Sequence, residues 1–330
     1  MSKLYASVTK IDSYLHICSS GGFVTTCAGK FIESGGVVYA ASLIDKFSIE
    51  HIRVDNLIDL EKTAGSKYSL SSLKNILYLM EEDLKSGKKV LFIGTPCQCA
   101  GMKKRFYEYD ELFLIDLVCH GNTSPKYFEA YLNYLESVFG EIKQFKFRDK
   151  EAYGLSAISS ITLLDGRKKL LYSPKYNWYY FYMKQDAYLN SCYSCKYANL
   201  NRVGDITVGD FWGIEMIDPT FPSARGVSAV IVSSSNGEIL WNLAKKLVNY
   251  KIQDIDKYVP HNAALDHTVE KGKCYETVKN YLLGDCSSDI FKNVYKITVK
   301  ENVVGIVKKF IPVALYKKYI KYKRMIKRIK

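Results

Sequence analysis

The chain has 330 residues, 48% of them apolar and 25% charged. That composition excludes disorder as the default and allows one large domain or two smaller ones. The net charge is +13, but ten Lys and Arg fall after Glu301, where no acid remains, so the body is nearly balanced and makes no case for a nucleic-acid partner.

Residues 1–16 are mixed and polar, without a basic start and an apolar core, so no secretory signal is expected. Ser19-Ser20-Gly21-Gly22 then precedes a helix predicted over 23–33, closed by Gly35-Gly36. Strands are predicted at 37–40 and near 51–54, followed by a loop at Gly65-Ser66-Lys67-Tyr68 and a long helix over 71–85. In that helix Leu73, Ile76, Leu77 and Met80 recur at three and four. Residues 89–93 read as a buried strand, Thr95-Pro96 as a helix start, 112–118 as another buried strand, and Ser124-Pro125 as the start of a helix to about 138. From 144 to 171 the pattern changes to short β segments with turns. An aromatic helix is predicted over 176–188, strands at 205–208 and 229–232, and a helix over 238–248. The expected fold class is α/β: a largely parallel sheet core with an added mixed β/α region carrying a C-x-x-C segment. No run of about 18 apolar residues occurs, so no transmembrane helix is expected and the cytoplasm is the expected location.

Nine cysteines in a reducing compartment point to metal or redox chemistry rather than disulfides. Cys192-Tyr193-Ser194-Cys195 is a C-x-x-C, which suits a redox pair, half a zinc site or half a cluster site. Cys97 and Cys119 each follow an apolar strand closely, and ligands collect beyond the carboxyl ends of parallel strands. Cys97 also falls in a first helical turn, where free N–H groups favour thiolate. The bland alternative is that both are small buried hydrophobes. Cys99 points roughly 200° away from Cys97 on a helix, Cys27 sits mid-helix, and Cys18 adjoins the glycine loop. Cys274 and Cys286 receive no role. The loop itself reads either as a phosphate cradle or as an ordinary capped turn. No G-x-G-x-x-G follows a strand.

Several stretches together resemble one family. They are Cys18-Ser19-Ser20-Gly21-Gly22, Gly65-Ser66-Lys67-Tyr68, Gly94-Thr95-Pro96-Cys97-Gln98, Asp116-Leu117-Val118-Cys119-His120-Gly121 and Phe147-Arg148-Asp149-Lys150. The last is the C-x-x-C followed by Gly204-Asp205-Ile206-Thr207-Val208-Gly209-Asp210-Phe211-Trp212-Gly213. In this order they resemble the coenzyme F-420 hydrogenase/dehydrogenase beta-subunit family. The resemblance implies FAD and one 4Fe-4S cluster, with Cys97, Cys119, Cys192 and Cys195 as cluster ligands. It also implies that Ser20, Gly21, Gly22, Ser66, Lys67, Thr95 and His120 lie in flavin-binding segments. Many members carry an N-terminal ferredoxin-like segment with Cys-rich runs; this chain shows none, so electrons are expected from an external carrier such as ferredoxin. Shortened bacterial members often accompany surface-polysaccharide synthesis, which makes a small-molecule or glycan-precursor substrate the expectation. The competing reading is a non-catalytic, zinc-stabilised component of such an assembly. The expected divisions are 1–86 with the flavin loop, 87–250 with the cluster and flavin site, a weakly organised 251–301, and a basic tail at 302–330.

In that tail Leu315, Tyr319, Tyr322, Ile326 and Ile329 recur at four and three, beside Lys317, Lys321, Arg324 and Arg328. A basic amphipathic helix of this kind is expected either at an anionic membrane surface or docked on the body.

Overall fold

Val90–Gly94 and Leu112–Leu117 are apolar runs almost wholly buried on both faces, the signature of central parallel strands. In the computed structural model, which describes residues 2–44, 48–153, 157–222, 225–284 and 289–307 together with Leu315, they form the middle of an eight-stranded sheet. In chain order its strands are β1 (Lys3–Thr9), β2 (Val37–Leu43), β3 (Ile49–Val54), β4 (Val90–Gly94), β5 (Leu112–Leu117), β9 (Ile206–Asp210), β10 (Ser228–Val232) and β11 (Val248–Gln253). Across the sheet they lie in the order β11-β1-β10-β9-β5-β4-β2-β3. The contiguous β2, β4, β5 and β9 pair in parallel, and the flanking pairs are antiparallel. The fold is thus α/β, with a mixed sheet built on a parallel core.

Alternation along the strands builds two apolar layers. Val38, Ala40, Leu91, Ile93, Phe113 and Ile115 face helices α2 (Phe23–Glu33), α3 (Leu57–Thr63) and α10 (Ser235–Ala244). Val37, Tyr39, Val90, Phe92, Leu112 and Leu114 face α4 (Leu77–Lys85) and α5 (Pro96–Arg105). A second aromatic core joins α6 (Pro125–Phe139) and α8 (Trp178–Tyr182) to an antiparallel three-stranded sheet of β6 (Ile142–Lys146), β7 (Ser160–Leu163) and β8 (Lys168–Leu170). Short helices α1 (Asp12–Ile17), α7 (Lys150–Tyr153), α9 (Ile214–Ile217) and α11 (Ile255–Tyr258) fill the connections. Then α12 (Tyr275–Leu283) and α13 (Val299–Val307) end the described chain. The sequence expectation for the tail beyond Val307 falls, apart from Leu315, outside the described residues, as does Cys286.

Three predicted helices are shorter in the structure. Residues 71–76 are not helical, because Ser72 N–H bonds to the Ile49 carbonyl and Ser72 carbonyl accepts from His51 N–H, tying this segment to β3. The aromatic helix stops at Tyr182, and Gln185 adopts φ 61, outside the helical range. The helix predicted to reach Val248 ends at Ala244, and Val248 begins β11.

Candidate functional site

The carboxyl ends of all four parallel strands open into one cavity of about 250 Å³. Ala40 and Ala41, Ile93 and Gly94, Leu117 and Val118, and Val208 to Asp210 bring the strands to its wall. The start of α2 forms one side. Gly22, in left-handed conformation (φ 81), supplies no side-chain cap, so the first-turn N–H groups beside the cavity lack a capping side chain. Of the seven residues expected in flavin-binding segments, Ser20, Gly22, Ser66, Lys67, Thr95 and His120 line this cavity. Gly21 stands behind it: a Cβ there would meet the Ser7 carbonyl oxygen and approach Ser228 N within 2.5 Å, so this glycine lets the loop pack on β1 and β10.

Cations gather around the loop. Lys67 donates to the Thr63 and Ala64 carbonyls at 2.6 and 3.0 Å, and burial pushes its pKa down to about 7. Lys150 donates to the Leu15 carbonyl at 2.8 Å and to that of Ser20, with its pKa pushed down to about 8, again by burial. Arg148 pairs with Asp210 at 2.8 Å in a buried bridge. His51 stacks on Phe92, hydrogen-bonds through Nε2 to the Ile93 carbonyl, and is held neutral by burial, which lowers its pKa to about 4.

A smaller cavity, about 60 Å³, lies beside the first. Cys97, Cys119, Cys192 and Cys195 all line it, with His267. They come from three local segments. A capping box of Thr95 and Gln98 starts α5 at Pro96 and sets Cys97 in its first turn. Cys119 closely follows β5. Cys192 ends a short 3-10 turn, and its sulfur accepts from Asn122 N–H at 3.5 Å. Burial, reinforced by the neighbouring thiols, pushes Cys119 up to about 12 and raises Cys192. Such thiols need a bound cation to release their protons. Among the described residues no three His, Cys, Asp or Glu side chains are disposed to hold one metal ion. By donor chemistry, four thiols around a common cavity suit either zinc or an iron-sulfur cluster. Cys119, His120, Gly121 and Asn122 line both cavities and form the wall between them. Burial lowers the pKa of His120 in that wall.

The family model for the C-terminal part of the coenzyme F420 hydrogenase/dehydrogenase beta subunit matches residues 87–258, more than half of the chain. The chain belongs to that family. It is 25% identical over 247 residues to the coenzyme F420-dependent sulfite reductase of Methanocaldococcus jannaschii. That match covers 72% of this chain and 36% of the relative, so the chain spans little more than a third of that protein's length. In fold it is similar to a chain from the structure of the F420-reducing NiFe hydrogenase complex of Methanosarcina barkeri. There the TM-score is 0.54 at 17% identity, covering 84% of this chain and 91% of that one. By its description the family is one of oxidoreductase subunits.

In this family member Cys99, Cys27 and Cys18 are not among the residues that line the smaller cavity. Cys99 is buried under β5 with its thiol 3.5 Å from the Ile115 carbonyl, and Cys27 is buried near the Leu240 carbonyl. Cys18 lines the larger cavity, 3.0 Å from Thr25 Oγ1, and burial keeps it a thiol.

Sequence reasoning missed Arg202. Its guanidinium donates to the Tyr197 and Asn199 carbonyls at 2.8 and 3.1 Å, just after the C-x-x-C. It also reaches Asp116 at 3.2 Å and the Leu117 carbonyl at 3.4 Å, just before Cys119. Arg202 and Asp116 are 2% and 0% exposed by side chain. One buried cation therefore ties two of the cysteine-bearing segments together. The available signal was Asp116 itself, a carboxylate inside an otherwise apolar strand, which requires a partner.

Proposed function

We propose that this chain is an iron-sulfur flavoprotein oxidoreductase subunit. The larger cavity would hold FAD, and Cys97, Cys119, Cys192 and Cys195 would hold one 4Fe-4S cluster. The supporting observation is the shared wall from Cys119 to Asn122, because a group in either cavity abuts the other through a single loop. When bound, the cluster supplies one-electron transfer and the flavin exchanges electrons with a substrate in ones or twos.

The chain's own residues do the holding. The uncapped start of α2 and the Lys67 ammonium suit the anionic diphosphate. The Arg148–Asp210 bridge fixes the floor near Tyr68, whose hydroxyl lies 3.4 Å from Arg148. Neutral His51 and His120 add no charge to the wall on which a planar ring system would rest. Cys97 is exposed, which gives an external carrier such as ferredoxin a short approach to the cluster. The resemblance to shortened members makes a glycan precursor the first substrate to assay.

Anaerobic purification tests this reading. One FAD and about four iron and four sulfide per chain are expected, with a visible spectrum to match. Colourless protein carrying one zinc would overturn it in favour of a structural zinc site.

A further inference from the structure

The larger cavity contains a hydrogen-bond acceptor that the chain itself leaves unused. His51, on β3, lines this cavity and is 2% exposed. Its ring stacks on Phe92 with centroids 4.9 Å apart and planes 9° apart, and its Nε2 lies 3.0 Å from the Ile93 carbonyl oxygen. Stack and hydrogen bond together fix the ring. A carbonyl oxygen only accepts, so Nε2 carries the proton of the neutral imidazole and Nδ1 keeps a bare lone pair. Nδ1 is buried and has no hydrogen-bond partner among the described residues. Leaving a buried acceptor unpaired is costly, so such a group marks the place of a donor that the chain does not supply. The surroundings of His51 belong to the side of the cavity that adjoins the cysteines. Its backbone N–H donates to the Ser72 carbonyl at 2.9 Å. The Ser71 hydroxyl accepts from Gln98 Nε2 at 3.0 Å, on the same α5 whose first turn carries Cys97. Leu70 lines the cysteine cavity, and its N–H donates to the Thr123 carbonyl at 3.0 Å, just beyond the wall that the two cavities share.

We propose that His51 Nδ1 accepts a hydrogen bond from the imide N–H of the flavin ring, at N3, and so selects the ligand of the larger cavity. The inference rests on the FAD reading given above and adds to it the contact that recognises the ring. An oxidised isoalloxazine carries a single N–H, at N3 between two carbonyls. An electron path through the shared wall calls for that ring, rather than the diphosphate, on the cysteine side, where His51 lies. The Phe92 ring against which His51 stacks has no polar atom to compete for the donor. His51 precedes residues 87–258, so the family match does not reach it.

Fluorescence titration of protein freed of flavin, with FAD and with FAD methylated at N3, tests the proposal. The wild type is expected to bind FAD about tenfold or more tighter than the methylated form, because a site built around a polar contact rejects a ligand that lacks it. His51→Phe keeps an aromatic ring against Phe92 but removes the acceptor. In that variant FAD should bind about tenfold more weakly, and its advantage over the methylated form should fall to about twofold or less. A second measurement needs no variant. In nitrogen NMR of wild-type protein carrying isotope-labelled histidine, the His51 Nδ1 signal should move upfield when FAD is added, as an acceptor nitrogen does on gaining a donor. Equal affinity of the wild type for the two ligands, a preference that survives in His51→Phe, or an unmoved Nδ1 signal with FAD bound would overturn the role of His51 and leave the FAD reading standing. Wild type that binds neither ligand would overturn the FAD reading and this inference with it.

Discussion

At Lys67 two demands oppose each other. The ammonium has lost water by burial and holds only backbone carbonyls in exchange, so its pKa falls to about 7. An anionic ligand beside it favours the charged form and raises that pKa. Binding then takes up a proton in the window above pH 7. FAD affinity is expected to be full below about pH 7 and to decline above it, by at most about tenfold per pH unit. Lys67→Gln should weaken binding and flatten the profile. Fluorescence titration of FAD across this range checks both, and a sloping profile in Lys67→Gln would exclude Lys67 as its source. Gly21 makes a different prediction. Because its missing Cβ faces β1 and β10 rather than the cavity, Gly21→Val should destabilise the fold by about 2 kcal/mol or more. A lowered urea midpoint in protein without FAD is the expected reading. A wild-type midpoint would return Gly21 to the ligand. The sequence pattern identified this loop, but not which of its two glycines faces inward, because that depends on strands more than 200 residues apart.

The elements that could be read in advance are those whose local pattern and tertiary burial agree. β4 and β5 are buried on both faces and read as apolar runs, broken in β5 by Asp116 alone. α5 and α6 begin at Thr95-Pro96 and Ser124-Pro125, each with a capping residue before the proline. β1 could not be read so. Its Lys-Leu-Tyr-Ala-Ser-Val-Thr run buries Ser7 and Thr9, and its partners lie at 228–232 and 248–253. Residues 71–76 have helical spacing but give their backbone bonds to β3. The C-x-x-C segment belongs with these: its spacing was visible, while its anchorage through Arg202 was not. Arg202→Met leaves Asp116 buried and unpaired and should cost about 3–5 kcal/mol in unfolding free energy. It should also lower iron content, because the segment after Cys195 loses its hold on β5. Arg202→Lys keeps the charge but not the fork of donors, and should recover only part of both. Urea unfolding and iron analysis of the two variants check this. Full iron retention in Arg202→Met would show that the segment is anchored otherwise.

For the whole molecule, one sheet places the two cavities side by side. Its parallel strands open into the larger one, and the loop after β5, which carries Cys119, separates it from the smaller cavity that the four cysteines line. The order of motifs along the chain was enough to name those cysteines, but their gathering at a common cavity depends on the crossovers of the parallel strands and on the Arg202 junction. The central claim is that electrons reach the flavin through the cysteine-bound cluster, so the most direct measurement is anaerobic mixing of reduced ferredoxin with reconstituted protein while the visible absorption of bound FAD is followed. The absorption is expected to bleach in the wild type, and to bleach at least about a hundredfold more slowly in Cys192→Ala that still binds FAD, since removing one thiolate removes the cluster. Bleaching of Cys192→Ala at the wild-type rate would contradict the account.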